Sequence, residues 1–496
     1  MFLNLLKHKK YIFSSSCIVG SSFLYYNSNK KKYYSLEELE KHDNENDAWI
    51  EHNGKIYDIT KFIDKHPGGK EKILMAAGGS ITPYWDIYKQ HYDPNISNIL
   101  KKYEIGYLKD YNPESKIDYN DYNPYSEEPI RNTENKVYQI KPFNSESLPS
   151  KLIENYITPI KYWFIRNHHP VPKLNKDTHK ILIYGKNLKN IEIDYNILKN
   201  NYKKKVVIST IQCAGNRRKD FSKIDPTLGI PWSFGAISNA KWGGVWLSEI
   251  LHKNGYDKKN YNGNEHIHFI GEDAPFGTSV SIKHFLNNDV DFMLAYEMND
   301  KELTRDLGYP VRLIAPGYTG SKNVKWIKYI VINDEEVDTT WQKGIAYKIL
   351  PNHIKSVDTI TPDITELLKT IEFLPIQSLI CYPENNKNIN LNNKKLNVKG
   401  LAISYQGINI KKVEISLDNG KTWQSANLDK GSEQKENKAW AWTFWHLNID
   451  VKKGKNTLMV KATDIKNNEQ NNNLNDLWNL RGIVNNSIHK IEFYII

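Results

Sequence analysis

Apolar and polar positions change rhythm several times along this 496-residue chain. Residues 11–26 are mostly apolar with interspersed serines, a run short of the roughly 20 residues that span a bilayer as a helix. Between 34 and 108, short helical and strand patterns alternate. Ser35 is placed to cap a helix with Glu37 and Glu38 in its first turn. Trp49-Ile50 and 55–59 read as strands around an Asn53-Gly54 turn. From 109 to 141 apolar periodicity disappears and Asp, Asn, Tyr and Pro dominate, which is linker composition. From 142 onward short strands, loops and a few helices alternate. The β-branched run Val206, Val207, Ile208, Thr210 and Ile211 marks a strand that ends at Cys213. Beyond 369, short alternating strands with Asn/Gly turns recur at regular spacing, as in an immunoglobulin-type β-sandwich.

Composition sharpens this picture in three places. The three cysteines, Cys17, Cys213 and Cys381, are too far apart for a disulfide framework or a close-spaced zinc knuckle, and Cys381 has no partner pattern. The net charge of +11 is spread along a chain rich in Lys and Asn, with no basic stretch interleaved with aromatics, which argues against nucleic acid. Of 68 Lys plus Arg only seven are Arg: Arg131, Arg166, Arg217, Arg218, Arg305, Arg312 and Arg481. Arg grips oxyanions with a planar fork that Lys lacks, so these positions are candidates for oxyanion contacts, with Arg131 and Arg305 the most readily structural. The first 34 residues hold six Lys and no acid, which suits a mitochondrial presequence with a sorting stretch; a secretory signal is the alternative.

"DKHPGGK" places His66 before a tight Pro-Gly-Gly loop, and His91 follows beyond a helical segment. Two histidines on loops beside helices are what axial ligation of haem iron requires. Tyr34 to Leu108 resembles a cytochrome b5 domain. That likeness makes His66 and His91 the axial pair of a haem b with no open iron position, suited to one-electron transfer.

Cys213 stands in "STIQCAGNRRKD", at a strand end and followed by Arg217 and Arg218. A buried inert thiol, a nucleophile and a thiolate ligand to a soft metal are all open, although nothing adjacent supplies a base and the arginines favour a thiolate. With "FIRNHHPVP", "LAYEMN", "GYPVR", "KNVKW" and "WNLRG" in this order, the chain from Tyr34 onward resembles the sulfite oxidase family. The resemblance implies that Cys213 is the protein ligand to molybdenum in a molybdopterin (pyranopterin dithiolene) cofactor. It implies a sulfite pocket of Arg166, Arg218, Trp232, Tyr347 and Arg481, with one extra residue before Tyr347 relative to the family's spacing. Phe164, Ile165, Arg166, Asn167 and His168, then Asp273, Arg312, Asn323, Val324 and Lys325, are expected around the pterin and its phosphate. Leu307 departs from the His often found there.

The expected fold class is multidomain α+β. A targeting segment (1–32), a small α+β haem domain (33–108), a linker (109–141), a mixed α+β molybdenum-cofactor domain (142–368) and a β-sandwich dimerisation domain (369–496) follow in order. The linker would span on the order of 100 Å if extended, at roughly 3.3 Å per residue, letting the haem module move. The expected activity is oxidation of sulfite to sulfate, with electrons passing through haem to cytochrome c. A homodimer in the mitochondrial intermembrane space, without stable membrane insertion, completes the expectation. A nitrate reductase would carry its haem module after the molybdenum domains, followed by a flavin unit. A non-catalytic haem carrier is opposed by the retained Cys213 and by the arginines at site positions.

Overall fold

The computed structural model describes residues 31–66, 70–87, 89–92, 94–111, 125, 127–131, 134–273, 276–391, 395–429 and 433–496. The expected targeting segment through residue 30, the Pro67-Gly68-Gly69 loop and 112–124 of the expected linker lie outside the described residues. Among the described residues no helix is long and apolar enough to cross a membrane.

The haem module is a six-stranded sheet with short helices packed on it. Its hairpin, Asp47–His52 with Lys55–Asp58, turns through Asn53 and Gly54 at φ 51° and 77°. Both residues occupy the left-handed region that a type I′ turn requires. Ser35 caps Leu36–Leu39 by accepting from the Glu38 amide at 3.2 Å. Ile50, Ile59, Ile63, Ile73 and Trp85 form the small core.

The next region holds two five-stranded sheets. In one, Lys180–Gly185 runs parallel to Ile327–Asn333, which pairs antiparallel with His266–Gly271. In the other, Lys205–Gln212 pairs antiparallel with Ile237–Trp246, which pairs in turn with Met293–Met298. The strand Lys205–Gln212 begins half-exposed and finishes buried, so its end delivers Cys213 to the interior. The expected linker is not free to its end: Lys136–Ile140 is a strand paired with Phe143–Glu146.

The C-terminal module stacks a four-stranded sheet built on Lys395–Ile403 and Thr443–Asp450 against a five-stranded one built on Gly454–Asp464 and His489–Ile495. Val398, Val413, Trp445, Val460 and Phe493 fill the space between them. Trp442 and Cys381 are buried in a second cluster shared with Ala214 and Ile237 of the preceding domain. Backbone bonds cross the same boundary: Thr210 donates to the Trp440 carbonyl (2.9 Å), Leu228 to Leu480 (2.8 Å) and Val484 to Ala214 (2.8 Å). The segment around Arg481 is thereby stitched beside the Cys213 loop.

The haem module rests on the central domain through a thin contact. Phe62 and Ile99 pack on a cluster containing Ile345, Leu350, Ile354 and Val357. Lys65 donates to the Asp358 carbonyl at 3.3 Å, and Lys102 pairs with the Asp358 carboxylate. Exposed pairs of this kind contribute about 0–1 kcal/mol each, so the contact is reversible and salt-sensitive. Asp358→Arg is expected to release the module and raise the radius of gyration in small-angle scattering. Wild type in about 0.5 M NaCl, where screening is short-ranged, moves in the same direction. An unchanged radius in both experiments contradicts an electrostatic seat.

Candidate functional site

Two centres emerge from this frame. In the haem module, His66 follows directly on the 3₁₀ turn Thr60–Lys65, and His91 sits in the turn Lys89–Tyr92. Their rings are inclined by only 15° with centroids 6.1 Å apart. A ring nitrogen lies about 1 Å from its centroid and a metal–imidazole bond is about 2 Å, so an iron between two such rings requires about 6 Å. The residues fit a bis-histidine haem. Trp85 lies nearly parallel to His91 at 5.6 Å and limits its rotation.

The second centre is a cleft with about 750 Å³ of empty space around the half-buried Cys213. Phe164, Ile165, Arg166, Asn167 and His168 line it from the strand Ile165–Arg166 and its flanks. Asp273, Arg312 and Tyr347 line it from three further segments, and Asn323, Val324 and Lys325 from a fourth. Of the remaining expected residues, Arg218 and Arg481 stand just behind this lining. Arg218 donates from Nε to the Arg481 carbonyl (3.0 Å) and from Nη1 to the Ile230 carbonyl (2.7 Å). Trp232 does not line the cleft. It is fully buried, edge-on to Tyr138 at 5.1 Å.

Arg217 departs from expectation. It adopts φ 66°, which turns its side chain away from the thiol. Its guanidinium bonds Asp220 (3.0 Å) and both the carbonyl and the hydroxyl of Ser487 in the sandwich. The adjacent arginines thus divide the work: Arg217 ties two domains together and Arg218 lies behind the cleft lining, near Cys213. Three glycines make room for Arg218. A Cβ at Gly215, Gly229 or Gly482 would lie 2.3, 3.0 or 2.6 Å from its side chain.

The electrostatics are one-sided. Burial pulls Arg218 and Arg481 down to about 10, Arg312 to about 9 and Lys325 to about 7. The hydrogen bonds of Arg218, Arg312 and Lys325 go to neutral acceptors; Arg312 donates to the Leu307 and Asn323 carbonyls at 2.9 and 3.0 Å. Burial lifts the Tyr347 hydroxyl to about 12, and the hydroxyl meets His168 Nε2 at 3.3 Å. Burial, then the nearby Arg166, holds His168 neutral. Ser321 Oγ, Asp273 Oδ1 and Arg481 Nε are buried without a hydrogen-bond partner. Enclosed cations, orphaned polar atoms and a strand-end thiol together fit a metal cofactor bearing negative charge. Leu307, where the family often has His, lines the cleft and packs in the core cluster beside it, while its carbonyl accepts from Arg312.

Asp306 and Ser321 also line this cleft and were not singled out in the sequence. Asp306 adjoins Arg305, so a charged pair next to the Gly308–Pro310 turn was the available signal.

Comparison with known proteins agrees with this arrangement. Profiles of three families match the chain: Cytochrome b5-like Heme/Steroid binding domain over 35–109, Oxidoreductase molybdopterin binding domain over 168–341, and Mo-co oxidoreductase dimerisation domain over 368–495. Human mitochondrial sulfite oxidase is 35% identical over 473 residues, covering 93% of this chain and 84% of its own. Chicken (Gallus gallus) sulfite oxidase is 35% identical, covering 92% of this chain and 99% of its own. The sulfane dehydrogenase SoxCD of Paracoccus pantotrophus superposes with a TM-score of 0.59 at 24% identity, over 75% of this chain and 95% of that one, a likeness of fold.

Removing Arg217 should act on stability. Arg217→Ala strips a buried guanidinium from Asp220 and Ser487, a loss of about 3 kcal/mol. Chemical denaturation is expected to show that shift with the haem spectrum unchanged; a shift below about 0.5 kcal/mol contradicts the domain-tie role.

Proposed function

The chain belongs to the sulfite oxidase family, and from that membership we propose that sulfite is oxidised to sulfate in the Cys213 cleft, with the electrons leaving through the His66–His91 haem. The observation that carries this reading is the clustering of Arg166, Arg218 and Arg481 about Tyr347, the first two beside Cys213, without a carboxylate partner among the described residues. A dianion is the ligand such a group stabilises best. A molybdenum–pyranopterin dithiolene cofactor held by Cys213 supplies the oxygen-transfer and two-electron chemistry.

The protein's own residues supply binding, orientation and proton placement. Arg166 Nη1 is steered by the Asn144 side chain (3.1 Å) and the Asn167 carbonyl (2.7 Å), which fix the plane of its fork. Arg218 is braced by the Ile230 and Arg481 carbonyls, and Arg481 is delivered from the sandwich. Tyr347 keeps its proton at neutral pH because burial lifts it to about 12, so its hydroxyl donates to an oxyanion. Adding one oxygen from water to sulfite releases two protons and two electrons. A bis-histidine haem carries one electron at a time, so it works twice per turnover.

The seated haem module supports this route. Lys72, on the helix Lys70–Leu74 that follows the His66 loop, lies close enough to Asp273 of the cleft lining for the two to interact, although burial pulls Lys72 down to about 8. The thin contact at Asp358 lets the module leave again and meet cytochrome c. The matched dimerisation domain supports a homodimer. The mitochondrial relatives and the basic, acid-free first 34 residues support the intermembrane space. The haem module precedes the molybdenum domain, unlike the order in a nitrate reductase.

Two measurements test the reading. Purified protein is expected to contain molybdenum by elemental analysis and to reduce cytochrome c on addition of sulfite. Cys213→Ser abolishes that turnover and leaves the haem absorbance intact; near-normal turnover in the variant sinks the ligand assignment. Arg481→Lys keeps the charge but loses the fork, about 1.5–3 kcal/mol, and so raises the sulfite KM roughly tenfold to a hundredfold. A KM within twofold of wild type removes Arg481 from the anion pocket.

A further inference from the structure

The end of the linker is bound to the back wall of the cofactor cleft by the two arginines that looked most structural in the sequence. Arg305 donates from Nη1 to the Glu127 carbonyl (2.6 Å) and from Nη2 to the Val171 carbonyl (3.1 Å). Glu128 accepts from the Val171 amide at 2.8 Å. Arg131 lies over the Phe143 ring, 4.3 Å from its centroid, and pairs with Glu128. Its fork covers both oxygens of Asp306: Nε to Oδ2 at 2.8 Å and Nη2 to Oδ1 at 2.7 Å.

Asp306 is also a neighbour of the cleft cations. Its backbone carbonyl accepts from Lys325 Nζ at 3.0 Å, and its Oδ1 accepts from the Asn167 side chain at 3.1 Å. The other acceptors of Lys325 are the Arg166 carbonyl (3.1 Å) and the Asn167 side-chain oxygen, both neutral. Lys325 therefore lines the cleft with no carboxylate among its hydrogen-bond acceptors, and the Asn167 side chain bridges it to the buried carboxylate that Arg131 occupies. Burial pulls Lys325 down, and Asp306 is the first influence opposing it, so the two groups sense each other.

We infer that Arg131 is a positioning residue: by occupying the Asp306 carboxylate it keeps that acid from neutralising Lys325, whose charge stays available to the anionic part of the cofactor. The inference rests on the proposed role of Lys325 in holding that group. A buried carboxylate does not remain unpaired; stripped of Arg131 it takes a proton or the nearest cation, and here the nearest cleft cation is Lys325. Lys at 131 would cover one oxygen, whereas the fork covers both.

The test is cofactor content rather than turnover, measured as molybdenum by elemental analysis and as released pterin by fluorescence. Arg131→Gln is expected to hold at most a third of the wild-type content per chain. The double variant Arg131→Gln with Asp306→Asn removes the competing acid too, and is expected to regain at least half of what was lost. A merely structural pair is also relieved when both partners are removed, so content is read against the chemical-denaturation midpoint: content that falls in Arg131→Gln and returns in the double variant only in step with the midpoint overturns the inference. An Arg131→Gln protein that cannot be purified counts as zero content, and the double variant then decides in the same way. No recovery in the double variant, or wild-type content in the single one, overturns the inference. Lys325→Met separates the underlying reading: content unchanged in that variant overturns the assignment of Lys325 to the cofactor, and with it the inference.

Discussion

Enclosed positive charge that outnumbers the enclosed carboxylates, Asp273 and Asp306, is the constraint on which the rest of this structure depends. Arg166, Arg218, Arg312, Arg481 and Lys325 surround one cleft, and the bonds described for them go to carbonyls and side-chain amides. Such groups repel one another and lose hydration, and burial lowers their affinity for protons accordingly. An arrangement that is costly when empty is stabilised by whatever anions fill it. The surrounding architecture serves to hold these charges in place. Three glycines open a slot for one guanidinium, Arg217 ties the cleft loop to the sandwich, and the end of the linker braces the back wall.

Much of this was legible in the sequence because the chain is sparing with Arg. Where Lys is the default cation, a retained Arg marks a place that needs a fork, and Arg166, Arg218 and Arg481 do cluster about Tyr347. The same reasoning misjudged their neighbours. Arg217 is identical in type and adjacent in sequence to Arg218, yet a left-handed backbone at Arg217 sends the two side chains in different directions. Nothing in the residue order announces that turn. Arg131 and Arg305 looked incidental because their partners, Asp306, Glu127 and Val171, lie between 134 and 178 residues away, the last two reached through backbone carbonyls. Trp232 is fully buried in the cluster against which Cys213 packs, with its indole nitrogen lacking a hydrogen-bond partner among the described residues, a placement that residue order does not announce.

The fold itself was easier to anticipate, since strand alternation and turn residues are local signals. The Asn53-Gly54 hairpin, the Ser35 cap and the C-terminal sandwich all rest on patterns within about ten residues. The linker was harder. Polar composition described its chemistry, but its last part gains order from pairing with Phe143–Glu146 and from the Asp306 ion pair, both supplied by other segments. The stretch without partners in other segments is correspondingly shorter, among the described residues, than the composition suggested.

Arg481 enters the cleft from a segment held by the Leu228–Leu480 and Val484–Ala214 bonds, 263 residues beyond Arg218 in the chain. A ribosome releases Cys213 and Arg218 long before it releases Arg481. Domains tend to fold in the order of synthesis, so the central sheets form while the pocket still lacks one wall. The anion site closes only when the sandwich has folded back. A chain whose sandwich is unfolded or undocked therefore keeps its central sheets and Cys213 but has a cleft open on the Arg481 side.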